Sequence, residues 1–179
     1  YAIMAMPKIL KKFPNAKLYI VGETHPNHIR DGKEIYREIL RNEIQKAGVE
    51  HAVKFVAEFL PLSELIRFHK AADFYLTPHL HAQQATSGTL SKALGAGSIC
   101  ISTPYFYAKE MLPDGVGILV PFKDADAIAK SVNRVWSDEA LIDKYQRNAY
   151  RVGRLMVWPS VAKRYLDLFR LVDKNPLND

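Results

Sequence analysis

Apolar and polar positions change period repeatedly along this 179-residue chain, and the changes mark out its elements. Ala2 to Phe13 carries apolar residues at helical spacing and stops at the Pro14-Asn15 turn, which predicts an amphipathic helix. Lys17 to Val21 is a short β-rich run closed by Gly22, the pattern of a buried strand. Asp31 to Ala47 returns to helical period, with Ile35, Ile39, Leu40 and Ile44 on one face and Gly48 just beyond the end. Residues 53–56 (VKFV) form a second strand. A helix opens after Pro61, with Ser63 as its cap, and runs to Ala71. Strands follow at 73–78, 98–103 and 117–121, and a helix from near Ser87 to the Gly95–Gly97 stop separates the first two. Three helices close the chain: Ala125 to Trp136, Asp138 to about Arg154, and Pro159 to Leu171.

Strands alternating with helices predict a parallel sheet covered on both faces, an α/β fold of the doubly wound kind with helices at its carboxyl-terminal end. The strands are short and nearly all apolar, as strands buried on both faces must be. No repeat or Pro/Gly/Ser linker divides the pattern, so residues 1–179 read as one domain. Ligands of such sheets bind at the carboxyl ends of the strands. The loops after Val21, Val56, Thr77 and Thr103 are therefore where chemistry is expected.

Composition narrows the classes. A hydrophobic share of 48% and a charged share of 25% describe a globular chain, and disorder is excluded. One cysteine, Cys100, rules out a disulfide framework and a cysteine-rich zinc fold, and fits a reducing, cytoplasmic setting. Lying in an apolar strand, Cys100 reads as a core residue. Apolar runs such as Val116 to Phe122 fall far short of the ~20 residues that cross a bilayer. The net charge of +6 suits an anionic partner: nucleic acid, a membrane surface or a phosphorylated ligand. The basic residues are dispersed, with no aromatic-interleaved stripe, so nucleic acid is not expected. Peripheral contact at the inner face of a membrane stays open.

The most informative segment is residues 77–97, TPHLHAQQATSGTLSKALGAG. A strand ends at Pro78, a polar loop follows, and Thr86-Ser87-Gly88-Thr89 leads straight into a helix. Free amides and the dipole at a helix start make an anion site. Gly88 permits close approach of a phosphate, and three hydroxyls can donate to its oxygens. The same residues also read as an ordinary helix cap, in which Ser or Thr satisfies the helix's own amides. No G-x-x-x-x-G-K-[ST] occurs, so an ordinary P-loop is excluded. Gly95-x-Gly97 follows a helix and precedes a strand, the reverse of what pyrophosphate binding requires.

Residues 77–121 resemble the donor-nucleotide half of a GT-B glycosyltransferase of family 4. The resemblance rests on Lys92 to Gly97 on the helix, SICIST as the strand, Glu110 as the acid after it, and GVGILVPFKDADAIAKSV. It is closest to the mannosyltransferase-like group, carried by GETHPNHIRDGKEIYREIL (22–40), TSGTLSKALGAG (86–97), STPYFYAKEML (102–112) and MVWPSVAKRYLDLF (156–169). Four motifs in order span nearly the whole chain.

The resemblance implies a Rossmann-like half of a GT-B fold that binds a nucleotide diphosphate sugar, GDP- or UDP-linked, with no cofactor and no metal. It implies transfer of a hexose, mannose in this group, to a saccharide or lipid-linked acceptor. It further implies that a first strand with its glycine-rich turn, and an amino-terminal acceptor domain, belong before Tyr1. The parent would be about twice as long, and this domain alone inactive. By the same resemblance Thr86, Ser87, Gly88, Thr89, His25 and Glu110 hold the donor and its phosphates, and Phe59 and Leu60 grip the base. Gln84 takes the position of a catalytic acid. The family's two glutamates are here Gln84 and Lys92, and a non-catalytic nucleotide or sugar-phosphate binding module is the alternative reading. His25 reads equally as part of a turn with Pro26 and Asn27, Phe59 and Leu60 as packing under the Pro61 helix, and Glu110 as a partner of Lys109. His25-x-x-His28 and His79-x-His81 lack the further ligands a zinc site needs.

Overall fold

The computed structural model describes residues 1–30 and 33–174. In chain order the elements are α1 (Ala2–Leu10), β1 (Leu18–Val21), a 3-10 turn (Pro26–His28), β2 (Ile29–Arg30), β3 (Lys33–Glu34), α2 (Ile35–Ala47), β4 (Val53–Val56), α3 (Leu62–Ala71), β5 (Phe74–Thr77), α4 (Gly88–Ala96), β6 (Ile99–Ser102), α5 (Phe106–Met111), β7 (Gly117–Leu119), α6 (Ala125–Trp136), α7 (Glu139–Arg154) and α8 (Trp158–Lys174). The strand–helix alternation expected from the sequence is present, and every ladder except the β2–β3 hairpin is parallel.

Period-two alternation divides the sheet's side chains between two cores. Leu18, Ile20, Phe74, Leu76, Ile99, Ile101 and Ile118 face a core built on α1, α2 and α6. Tyr75 and Cys100 face a second core with Leu90, Ala93 and Leu94 of α4, Tyr105 and Ala108 near α5, and Ala149 of α7. Helices on both faces make the sheet doubly wound. Cys100 lies wholly inside, and burial pushes its thiol up to about 12.

Several expectations need correction. The ladders separate into a β4–β1 pair and a β5–β6–β7 triplet, and β1 is not hydrogen-bonded to β5. Only β6 is buried along its whole length, whereas Tyr19 of β1 and Lys54 of β4 are exposed. Paired ladders on both sides protect β6; β1 has one.

The helix expected from Asp31 starts instead at Ile35, because Lys33 and Glu34 pair with Ile29 and Arg30; residues 31 and 32 lie outside the described residues. Helix α1 stops at Leu10, three residues early, freeing Phe13 to stack on Trp136 at 4.8 Å. Ser63 does not cap α3, which begins at Leu62 behind Pro61 without a side-chain cap. The one-and-a-half-turn helix α5 was not anticipated.

Candidate functional site

The loops after β5 and β6 are built as one unit. After β5 the chain leaves at Thr77, crosses residues 78–87 and enters α4 at Gly88. The β6 loop is stitched to it at four points. Ser102 Oγ donates to Thr77 O (3.2 Å) and Thr103 Oγ1 to His79 O (2.6 Å). The amides of Phe106 and Tyr107 donate to Ala82 O (2.9 Å) and Gln84 O (3.3 Å). Ser102 and Thr103 are buried, so each hydroxyl must find a partner inside, and these carbonyls provide it. The His79 ring meets Tyr105 edge-on at 4.9 Å. Burial, then the charge on His81, pushes its pKa down.

Ser87 is the helix cap. Its backbone is extended, and its buried Oγ accepts from Leu90 N (3.2 Å). The cap reading therefore holds for the Ser87 side chain. It leaves two other groups available: among the described residues neither the Gly88 nor the Thr89 amide donates to an acceptor in the chain. Both residues are exposed, as is Thr86, and a Cβ built on Gly88 meets nothing within 4 Å. One terminus thus holds both a side-chain cap and two amides without an acceptor, since the cap engages the third amide and spares the first two. Thr89 lies beside Tyr75, whose pKa rises on burial and is partly restored by the Thr89 and Thr77 hydroxyls.

Gln84 turns its amide onto Thr86 O (3.1 Å), which leaves its side-chain oxygen as the available acceptor. Lys92 is exposed one turn into α4, and its charge lowers the pKa of the buried His69 on α3 after burial itself. It therefore stands on the α3 side of the helix. His25 begins the 3-10 turn after β1, and its Nδ1 accepts from Asn27 N (3.2 Å); the turn reading is correct for that nitrogen. Phe59 is 83% exposed on the loop after β4, which contradicts packing under the Pro61 helix for Phe59; Leu60 is half-buried. Glu110 is exposed on α5 and forms no ion pair with Lys109. Among the described residues no hydrogen bond, ion pair or ring contact ties His25, Phe59 or Glu110 to the start of α4. What they share is position, each lying beyond the carboxyl end of a parallel strand.

Sequence reasoning missed Arg37. This α2 residue is 4% exposed, and its guanidinium holds the loop after β1. Nη2 donates to Gly22 O (3.1 Å), and Nε reaches Thr24 Oγ1 (3.3 Å) and Glu34 Oε2 (2.9 Å). The cation lies 5.3 Å from the centre of the Phe55 ring. Its signal was hidden because an arginine on a helix reads as a solvated charge. A cavity of about 380 Å³ lies at the other end of α4, lined among others by Lys70, Gly97, Asp143 and Arg147, well away from these loops. Among the described residues no group of three or more His, Cys, Asp or Glu is placed to hold a metal ion, and no helix is long and apolar enough to cross a membrane.

Parallel strands wound on both faces by helices, with their loops gathered at the strands' carboxyl ends, define the doubly wound α/β class of fold, whose ligands bind at that edge. Within that class the chain belongs to the family described as Glycosyl transferases group 1, whose sequence signature matches residues 1–152. It is 23% identical over 171 residues to a phosphatidyl-myo-inositol mannosyltransferase of Mycolicibacterium smegmatis, covering 95% of this chain and 40% of that protein. It is 26% identical over 171 residues to an exopolysaccharide phosphotransferase of Streptomyces coelicolor, covering 94% of this chain and 17% of that protein. The structure of Anabaena Alr3699/HepE, solved in complex with UDP, superimposes with a TM-score of 0.79 at 17% identity over 96% of this chain and 44% of that one. The fold is that of GT-B glycosyltransferases. The chain spans well under half the length of these relatives.

Proposed function

We propose that this chain is the donor-binding half of a glycosyltransferase that moves a hexose, mannose, from a nucleotide diphosphate sugar to a saccharide or lipid-linked acceptor. The observation that carries the reading is the pair of unengaged amides at Gly88 and Thr89, facing open space at the carboxyl end of β5. Family membership and a relative named for mannosyl transfer support the chemistry. In this reading the diphosphate lies on those amides with the Thr86 hydroxyl beside them, and the exposed Phe59 offers its ring to the base. His25 Nε2 and Glu110 meet the phosphates and the sugar. When the bond from the anomeric carbon to the β-phosphate oxygen breaks, negative charge grows on the diphosphate; the acceptor oxygen bonds to that carbon and its hydroxyl proton passes to the departing phosphate oxygen. Amides already oriented toward that charge lower the barrier without reorganising. The acceptor is held by an amino-terminal domain of the same protein, against which the apolar face of α8 packs.

One observation favours the second reading, a binding module without catalysis. Gln84 is uncharged and directed at its own loop, and Lys92 stands beside α3 where the family has a ribose-binding acid. Incubating the full-length protein with a panel of GDP- and UDP-linked sugars and measuring released nucleoside diphosphate separates the two. Acceptor-dependent release with one donor supports transfer. Tight donor binding with no release under any acceptor supports the module.

A further inference from the structure

Tyr107 touches the α4 loop at both of its ends. Its backbone N–H donates to Gln84 O (3.3 Å), just before the cap. Its phenol lies 2.6 Å from Ser91 Oγ, one turn into α4, and Ser91 Oγ donates to Ser87 O at 3.1 Å. Either hydroxyl can donate in the short bond, and the phenol also lies 3.9 Å from Met156 Sδ, a weak acceptor. Residues 84 to 91 are held between these attachments, and the free amides of Gly88 and Thr89 fall inside that span. The ring is half-buried against the second core, so it cannot swing away without losing its packing.

We propose that Tyr107 is a positioning residue for the anion site: its hydroxyl, acting through Ser91 on the Ser87 carbonyl, fixes the direction in which the Gly88 and Thr89 amides point. The inference rests on the diphosphate site proposed above. Oriented amides matter because a phosphate oxygen gains from them only near linear geometry, and hydrogen bonds weaken steeply with misalignment. Freed from the brace, the first turn of α4 would keep its Ser87 cap and lose angular definition.

Tyr107→Phe removes the hydroxyl while keeping the ring and the N–H to Gln84, and thermal unfolding verifies that the variant folds. Isotopically labelled wild-type and variant chains are titrated with GDP and UDP and with the corresponding nucleosides, following amide shifts. The expected result is a loss of diphosphate affinity of about five- to tenfold, the size of one well-placed hydrogen bond, with nucleoside affinity unchanged. Ser91→Ala should add little to Tyr107→Phe, because both act through one bond. Equal diphosphate binding by wild type and Tyr107→Phe overturns the brace and leaves the site standing. Equal losses for diphosphate and nucleoside overturn it as well, since they report general loosening. A wild type whose residues 86–89 do not respond to any diphosphate overturns the site reading, and the brace with it.

Discussion

Gly88 separates binding from folding. No positive φ requires glycine there, and a Cβ built on it meets no atom within 4 Å. Gly88→Val should therefore unfold at nearly the wild-type temperature and lose diphosphate binding; a variant that binds as wild type does would place the ligand elsewhere. At the Arg37 clamp, the Thr24 hydrogen bond first and then the Arg37 charge hold the Glu34 carboxyl below its ordinary range. A carboxyl depressed in the folded state contributes stability above its unfolded pKa and loses it as pH falls through the folded one. The clamp should thus persist into mild acid, below the ordinary glutamate range, and open at lower pH still. A titration of the Glu34 carboxyl carbon by NMR that finds an unshifted midpoint would contradict this. The Ser87 cap was legible because a serine just before a helix start satisfies one of that helix's own amides. Arg37 was not, since its role depends on Gly22 and Glu34 meeting it in space.

Helices α4 and α7 touch backbone to backbone. A Cβ on Gly153 of α7 would come within 2.5 Å of Leu94 O and 2.7 Å of Gly95 Cα, and next to it Arg154 Nη2 donates to Gly95 O at 2.8 Å. Gly153→Ala should push α7 off the end of α4 and cost about 1–3 kcal/mol, in the range of overpacked cores. Chemical denaturation measures it, and an unchanged midpoint would mean the helices part freely. Most elements were legible from period alone, because their apolar faces are continuous. The β2–β3 ladder and α5 were not. The ladder has two residues a side, too few to show alternation, and α5 makes too few turns for a helical repeat to register. The α5 helix is fixed from outside, by Tyr105 in the core and by the amides of Phe106 and Tyr107 on the neighbouring loop.

Over the whole chain, one end stands apart. Helix α8 carries Trp158 (84% exposed), Tyr165, Leu168 and Phe169 on one side, all open to solvent, while Val157 and Val161 near its start are half-buried. An exposed apolar face of this length marks an interaction surface. The sequence already placed a helix there, though the exposure of its apolar side could be seen only once the rest of the core was assembled without it. Tyr165→Glu with Phe169→Glu should shift stability by no more than about 0.5 kcal/mol, as for surface positions. A much larger loss would make α8 part of this unit's own core. The sheet follows the same logic: parallel pairing was legible, but which strands pair, β1 with β4 and β5 with β6 and β7, was visible only in the ladders.

The central claim is that the amino terminus of α4 receives the diphosphate of a nucleotide sugar, and titration of the labelled chain with GDP and UDP tests it most directly. The account predicts amide shifts concentrated at Thr86, Ser87, Gly88 and Thr89, largest at the two amides without an acceptor, with weak affinity for the isolated chain. Shifts clustered elsewhere, with residues 86–89 unmoved near saturation, would contradict it and leave Ser87 as a helix cap and nothing more.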